Sequence, residues 1–304
     1  DLNDVIANGN FADIVRINEA LHEKKIAHIA DEIAKRADKV KLVLIAGPSS
    51  SGKTTFAQRL CVQLRVNGLK PCTIGMDDYF IDRDKTPVDE DGKPDFESVD
   101  ALDLEKFNDD LNKLISGEEA VIPSYDFISG KRSPVGRKLR LRKNEIIVVE
   151  GIHGLNSELT KSIPDENKFR IFVSPMTQLN VDAHNYISTS DSRLIRRIVR
   201  DYQFRGNSAV QTIDAWPSVR RGEEKNIFPY QHNADVVFNS ATVYELSVLK
   251  PFVEPLLYKI DKTMPEYITA NRIIKFLDYF LSAGTEAIPD NSLIKEFVGG
   301  SVFM

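Results

Sequence analysis

The segment GPSSSGKT at residues 47–54 constrains the fold more than any other part of the chain. An apolar run, KLVLIA at 41–46, leads into it, and an amphipathic pattern, TTFAQRLCVQL, follows it. The pattern G-x-x-x-x-G-K-[ST] in this setting predicts a strand, a phosphate-binding loop and a helix. Its glycines let successive backbone N–H groups point at phosphate oxygens, and the helix N-terminus adds partial positive charge. The segment is therefore expected to bind a nucleoside triphosphate.

The residues expected to bind ATP share this loop and the first turn of the helix. They are Gly47, Ser49, Ser50, Ser51, Gly52, Lys53, Thr54 and Thr55. Lys53 is expected to reach the β and γ phosphates, and the Thr54 hydroxyl to coordinate Mg²⁺. ATP with Mg²⁺ is accordingly the expected cofactor. The alternative is a Ser/Gly-rich turn with an exposed lysine.

Short β-rich apolar runs alternate with helical patterns along the chain, which is typical of a parallel sheet with helical crossovers. The predicted strands are 41–46, 71–76, 145–149, 169–173 and 235–238. They indicate an α/β fold, a doubly wound five-stranded parallel sheet with helices on both faces. Residues 121–142 alternate in period two around a turn-rich GKRSPVG, which predicts an antiparallel β-ribbon.

Composition excludes several classes of protein. The 304 residues carry a net charge of -5, which argues against DNA and against an anionic membrane as partners. No apolar run approaches the roughly 18 residues that cross a bilayer. The two cysteines, Cys61 and Cys72, cannot form a disulfide framework, which indicates a reducing, cytoplasmic setting. The oligomeric state stays open, with a homo-oligomer as one option.

Acidic residues follow two of the predicted strands. Asp77 and Asp78 come after 71–76, and Glu150 comes after 145–149. Ligands of open α/β sheets bind beyond the carboxyl ends of the strands. A single acid after a strand is more often a turn or cap residue, but three of them beside a phosphate loop favour a metal site.

Arginines are concentrated in one predicted helix. Their steps of three, four and seven put them on one face. They are Arg193, Arg196, Arg197 and Arg200, and Arg205 follows. Such a face is solvated in an arbitrary helix, but beside a phosphate loop it favours a cationic lid, at 190–206, over a migrating phosphoryl group.

The order of these motifs resembles the uridine kinase and phosphoribulokinase family over roughly residues 41–240. The phosphate loop is followed by DDYF at 77–80, DFESVDALD at 95–103, IPSYDF at 122–127 and VVEGI at 148–152, and then by the arginine-rich helix. The flanks resemble bacterial members whose kinase follows an N-terminal domain similar to part of threonyl-tRNA synthetase.

The resemblance implies roles for the charged residues. Asp77 matches the acid that accepts the proton of the attacking hydroxyl and lies near the metal, and Glu150 matches a metal-associated acid. Arg200 and Arg205 match lid arginines on the ATP phosphates. The catalytic residues are thus expected to be Asp77, Lys53 and Arg205, and the metal-associated residues to be Thr54, Asp77 and Glu150.

The resemblance also implies a nucleoside site. Arg197 and an acid at the position of Glu97 are expected to hold the ribose hydroxyls, and that acid is usually aspartate in the family. Tyr125 and Phe127, placed on one face by period-two alternation, match an aromatic pair of the base pocket. Phe80 stands where nucleoside kinases often have tyrosine, Gly130 where a base-reading histidine occurs, and Ala215 where a glutamine occurs.

The resemblance therefore implies ATP-dependent phosphorylation of the 5′-hydroxyl of a pyrimidine nucleoside, with uridine the leading candidate. One alternative is a phosphoribulokinase-like kinase of another small hydroxylated acceptor, whose extra cations would come from Lys131, Arg132 and 137–143. Another is an ATP-binding regulatory or RNA-associated protein with a vestigial site. The expected domains are a helical lead-in at 1–40, a kinase domain at 41–240 and a helical extension at 241–304. Helical periodicity over 11–39 predicts a helix or a helical pair in the lead-in. The extension is expected to be helical from 242 to 283, with interruptions at Pro251, Pro255 and Pro265.

Overall fold

The computed structural model describes residues 1–88, 90, 92, 94–126, 129–133, 135–180 and 186–303. Within them, the strands are β1 (Leu42–Ala46), β2 (Lys70–Gly75), β3 (Glu119–Ile122), β4 (Tyr125–Asp126), β5 (Lys131–Arg132), β6 (Arg137–Arg140), β7 (Glu145–Glu150), β8 (Lys168–Ser174) and β9 (Val236–Asn239). The α-helices are α1 (Leu2–Ala7), α2 (Phe11–Lys35), α3 (Lys53–Val66), α4 (Leu104–Ile115), α5 (Thr189–Phe204), α6 (Ala209–Asn226), α7 (Glu245–Leu257), α8 (Tyr267–Leu277) and α9 (Lys295–Val298).

The main sheet has five parallel strands in the order β2-β7-β1-β8-β9. This confirms the predicted α/β class and the five predicted strands. Glu150, the last residue of β7, lies opposite Gly75 of β2 and Ile45 of β1. The carboxyl ends of these three strands therefore meet at one edge of the sheet, where the segments that follow them converge.

Helices cover both faces of this sheet. In the fully buried strand β1, Val43 and Ile45 face a core that α2 and α3 complete, while Leu42 and Leu44 face a second core closed by α4. Side chains alternate between faces with a period of two, so a strand buried on both faces has a continuous apolar sequence. A third core joins α5, α6, α7 and α8.

The predicted ribbon is present as two short antiparallel pairs, β3 with β6 and β4 with β5. Tyr125 begins β4 and pairs with Arg132 of β5. Phe127 lies outside the described residues, so its expected place beside Tyr125 stays a prediction.

The two flanks of the chain are helical. The predicted helix or helical pair at 11–39 is one long helix, α2, which packs on α3, and Arg59 of α3 donates to Glu19 at 3.2 Å and to Glu23 at 2.7 Å. None of the helices in the described part of the chain has the length and hydropathy that a membrane crossing requires.

The prediction that Pro251 and Pro255 interrupt the C-terminal helices was wrong. Both lie inside α7, and only Pro265 stands between α7 and α8. A proline at 251 leaves the carbonyl of Ser247 without its helical N–H donor. The backbone N–H of Ala283 supplies that bond at 2.9 Å, so a tertiary contact compensates for the proline.

Candidate active site

The loop at 47–54 connects the end of β1 to the start of α3. Gly47 lies so close to the carbonyl oxygen of Val173 that a Cβ would not fit, and Gly52 has a left-handed φ of +83°. Both positions therefore need glycine. Lys53 begins α3, and its Nζ donates to the carbonyl of Pro48 at 3.1 Å, so the ammonium lies over the loop.

The loop presents unpaired polar atoms. The side-chain hydroxyls of Ser50 and Ser51 are buried and have no hydrogen-bond partner among the described residues. Buried polar groups are nearly always paired, and exceptions are concentrated at functional sites. Together with the N-terminus of α3, these donors suit a bound anion with several oxygens, such as a phosphate chain.

Two carboxylates lie opposite the loop. Asp77 is in the 3₁₀ turn Met76–Tyr79 that follows β2, and Glu150 ends β7. The hydroxyl of Thr54 donates to Glu150 Oε2 at 3.4 Å. Hydroxyl and carboxylate oxygens are hard donors, so this set fits Mg²⁺, which binds through one or two carboxylates and substrate phosphates. In the described residues there is no cluster of three or more acidic, His or Cys side chains that could hold a metal by itself.

Burial shifts the pKa of both carboxylates upward. Asp77 lines the cavity. The protein around its carboxyl removes part of its hydration, which raises its pKa, while the charges of Lys53 and Arg205 lower it. Burial raises the pKa of Glu150 to about 7, against the lowering effect of Lys53. A carboxylate in such a site is a stronger base than one in water.

Three arginines are organised by one buried acid, Asp201, which is 1% exposed. Arg200 donates to its Oδ1 through Nη2 at 2.7 Å, Arg197 approaches its Oδ2 at 3.3 Å, and Arg205 lies 3.8 Å from its Oδ1. All three arginines line the same cavity as Lys53. The carboxylate thus holds a cationic group over the phosphate loop.

The other two arginines of α5 do not line this cavity. Arg193 pairs with the fully buried Glu223, and Arg196 donates through Nη2 to Glu245 at 2.6 Å. Glu223 also accepts the backbone N–H of Ser49 at 3.0 Å. The arginines of this helix face therefore form two groups. Arg197 and Arg200 line the cavity, while Arg193 and Arg196 pair with buried acids behind the loop.

Aromatic residues form the opposite wall of the cavity. The ring of Phe80 lies 5.9 Å from Phe96 and 5.6 Å from Tyr125, centroid to centroid. The Phe96 ring stands edge-on to Phe80, with an interplanar angle of 85°, and the Tyr125 ring is tilted by 55°. The three rings give an apolar wall of inclined faces, any one of which can pack against a planar group.

Glu97 places a carboxylate in the cavity beside this aromatic wall. Its Oε2 is buried and has no hydrogen-bond partner within the described residues, and burial raises its pKa to about 7 while Arg197 acts to lower it. Its backbone is held by Asp95, which accepts its N–H at 3.0 Å, and by Asn226, which donates to its carbonyl at 2.8 Å. The carboxylate is thus fixed in place with a free acceptor.

One cavity of about 310 Å³ joins the two sides. The expected site residues that line it are Ser49, Ser50, Ser51, Gly52, Lys53, Thr54, Asp77, Phe80, Glu97, Tyr125, Glu150, Arg197, Arg200 and Arg205. Gly47 and Thr55 do not line it, and Phe127 lies outside the described residues.

The contributors that sequence reasoning missed include Phe96, Asp201, Glu223, Glu296 and the cavity residue Arg83. The first two stand inside the quoted motifs and could have been singled out there. Glu223 and Glu296 reach the loop from 174 and 241 residues away along the chain, and no local pattern marks them.

The chain is similar to known kinases. The model of the "Phosphoribulokinase / Uridine kinase family" matches residues 42–247. A curated uridine kinase of Chloroflexus aurantiacus is 30% identical over 199 residues, which are 65% of this chain and 85% of the relative. One from Ligilactobacillus salivarius is 29% identical over 206 residues, 67% of this chain and 87% of the relative.

A solved structure gives a similar result for the fold alone. A protein named as a fructose transport system kinase from Silicibacter sp. TM1040 has a TM-score of 0.50 and 17% sequence identity, covering 70% of this chain and 98% of its own. The expected relation of the flanks to a threonyl-tRNA-synthetase-like domain finds no support in these matches, since the family match lies within 42–247.

Proposed function

The chain belongs to the phosphoribulokinase/uridine kinase family of small-molecule kinases, and from that we propose that it transfers the γ-phosphoryl group of ATP to the 5′-hydroxyl of a pyrimidine nucleoside, with uridine the leading candidate. The observation that carries the proposal is the single cavity that joins the phosphate loop and Asp77 to the aromatic wall and Glu97. A donor and an acceptor held there would meet at Asp77. The kinase domain would span 41–240, with the flanking helical segments packed on it.

Catalysis would be mainly positioning and charge neutralisation. Lys53, Arg200 and Arg205 would hold the phosphate oxygens and balance the charge that develops on them. Thr54, Asp77 and Glu150 would hold Mg²⁺, which when bound supplies further positive charge to the phosphate oxygens.

Asp77 would orient the acceptor hydroxyl and take its proton. Desolvation by the protein around its carboxyl raises its pKa, which strengthens it as a base. Its location after β2, opposite Lys53, suits a group that acts between the acceptor and the phosphate chain. The oxygen of the acceptor then forms its bond to phosphorus as the bond to the ADP oxygen breaks.

The acceptor side has the features that a nucleoside needs. The rings of Phe80, Phe96 and Tyr125 can pack against a base. The unpaired Oε2 of Glu97 can accept from a ribose hydroxyl, and Arg197 stands beside it as a donor. The sequence lacks the polar residues noted above for reading a base, so we expect weak discrimination between bases.

The alternative of a sugar-phosphate acceptor requires cations beside the acceptor. Arg132 is engaged elsewhere, with Asp103 at 2.8 Å and with the carbonyl of Tyr79 at 3.0 Å, and neither it nor Lys131 lines the cavity. Residues 137–142 line a separate surface groove. Arg83 lines the cavity together with Arg197. The absence of Lys131, Arg132 and 137–142 from the cavity lining nevertheless favours an uncharged acceptor. A vestigial site is disfavoured by the intact set of Lys53, Thr54, Asp77 and Glu150.

The experiment is a panel of acceptors. The protein is incubated with MgATP and, separately, with uridine, cytidine, adenosine, guanosine and ribulose 5-phosphate, and products are separated by ion-exchange chromatography. We expect uridine and cytidine monophosphates as the main products, with purine nucleosides phosphorylated more slowly. Turnover of ribulose 5-phosphate with none of any nucleoside would contradict the proposal, and an Asp77→Asn sample controls for contaminating kinases.

A further inference from the structure

The C-terminal segment of the chain packs directly on the phosphate loop. Leu293, Ile294 and Phe297 are buried, and Leu293 Cδ2 lies 2.9 Å from the point where a Cβ would stand on Gly52. The Phe297 ring lies 5.0 Å from the Arg196 guanidinium carbon. Helix α9 is therefore anchored by apolar contacts beside the loop.

A carboxylate of this segment reaches the first turn of α3. Glu296 is 5% exposed, and its Oε2 accepts the Thr55 N–H at 3.2 Å and the Thr55 hydroxyl at 2.7 Å. The N–H of Thr55 is one of the first N–H groups of the helix, which have no partner inside it. Negative charge is stabilised at this position by the helix dipole.

The same carboxylate belongs to the active-site cavity. Glu296 lines it together with Lys53 and Thr54. Its negative charge also interacts with Glu150 and contributes to the raised pKa of that carboxyl. A single side chain from the end of the chain thus adds a negative charge to the place where a phosphate chain would lie.

In a phosphate loop, the N–H groups at the start of the helix bind phosphate oxygens. We propose that Glu296 competes with the phosphate chain of the nucleotide for Thr55 and so lowers the affinity of the protein for ATP. The inference rests on the proposed function, because it assumes that the loop binds ATP. It assigns to the C-terminal segment a control over nucleotide binding that lies outside the family match at 42–247.

The competition involves the carboxylate and not the whole helix. Leu293 and Phe297 hold α9 by buried apolar surface, whose exposure to water is unfavourable. Rotation of the Glu296 side chain breaks the two bonds to Thr55 and leaves this apolar surface buried. ATP binding therefore displaces the carboxylate while α9 keeps its place.

The test compares Glu296→Gln and Glu296→Ala with Glu286→Gln. Glu286 is an exposed acid of the same segment that does not line the cavity, so its variant controls for the loss of one charge. The dissociation constant of MgATP is measured by isothermal titration calorimetry. A hydrogen bond to a charged group is worth about 10-fold to 100-fold in affinity, so we expect ATP to bind at least about tenfold more tightly to both Glu296 variants and equally to the control.

Thermal unfolding of each variant separates competition from a purely structural cap. A cap alone predicts a lower Tm for the Glu296 variants with unchanged ATP affinity, and that result would overturn the inference. If Glu296→Ala does not fold, the near-isosteric Glu296→Gln carries the test by itself. Absence of MgATP binding in every variant would overturn both the inference and the proposed function.

The acceptor panel keeps the two claims apart. Tighter ATP binding by the Glu296 variants without phosphorylation of any nucleoside would support the inference and refute the nucleoside acceptor. Phosphorylation of nucleosides with ATP affinity unchanged in Glu296→Gln would refute the inference alone.

Discussion

Replacement of Glu97 by glutamine tests the acceptor side of the cavity. Glu97 has a buried oxygen with no partner among the described residues, and burial raises its pKa from the ordinary 4.5 to about 7. The carboxyl is therefore protonated at pH 6 and ionised at pH 8. If the carboxylate accepts from ribose hydroxyls, acceptor binding strengthens as the pH rises through about 7.

The size of the effect follows from the titration. With a pKa of about 7, roughly a tenth of the carboxyl groups are ionised at pH 6 and roughly nine tenths at pH 8. The KM for the nucleoside should then fall about ninefold between these values. The glutamine variant keeps the volume but loses the charge, so at pH 8 its KM should rise about 10-fold to 100-fold, the worth of a hydrogen bond to a charged group.

The free energy of unfolding supplies a second readout. It should fall as the pH rises, whereas acceptor binding should strengthen. A carboxyl whose pKa is raised on folding stabilises the protein fully below the unfolded pKa of about 4.5, and this contribution is lost as the pH rises through about 7. The loss amounts to about 3 kcal/mol at most. Glu97→Gln should therefore be more stable than the wild type at pH 8, by an amount that vanishes near pH 4.5.

The assay measures initial rates against nucleoside concentration from pH 6 to pH 8 at saturating MgATP. Saturation matters because Glu150, on the metal side, also has a pKa of about 7. Glu97→Asp, which has the acid usual in the family, is the matched control and should keep a pH-dependent KM. An unchanged KM with the same pH slope in Glu97→Gln would refute the assignment.

Two further predictions concern the catalytic base and the support behind the loop. Asp77→Asn should lower kcat by about 10²–10⁴, the range for loss of a general base, while the Kd of ATP measured by calorimetry stays nearly the same; normal turnover would remove Asp77 from its role. Arg193→Met removes the buried cation of Glu223 and leaves it with Arg220, whose Nη1 lies 3.5 Å away, and with the Ser49 N–H. The cost in urea unfolding should therefore reach at most the roughly 3–5 kcal/mol of a buried charge that has lost its partner. Most of this should be recovered in Arg193→Met/Glu223→Met, and a single variant as stable as the wild type would show that the pair is not important for the fold.

Much of the fold was predictable because the signals are local. The five strands were readable from short apolar runs, and the helical patterns between most of them indicated a parallel sheet. The order β2-β7-β1-β8-β9 came from the tertiary structure alone. The prolines of α7 were misread, because the bond that makes Pro251 tolerable comes from Ala283, in a segment far along the chain. Local propensity predicts an interruption there, and tertiary hydrogen bonding overrides it.

The arginine-rich helix shows the same limit within the candidate site. Spacing put Arg193 and Arg197 on one face, but it could not separate them by function. Their different roles follow from their partners. Arg193 pairs with Glu223 behind the loop, whereas Arg197 pairs with Asp201 and lines the cavity. Those partners are set by how α5 and α6 pack, which spacing within α5 does not encode.

The sequence by itself determined the phosphate loop, because Gly52, Lys53 and their neighbouring strand and helix are contiguous and their conformations depend on adjacent residues. The tertiary structure alone decided what surrounds the loop. The contact of Glu296 with Thr55 joins residues 241 positions apart. Such a contact depends on the packing of α9 against α5 and the loop, and a buried carboxylate is stable there only because that packing brings it to unpaired helix donors.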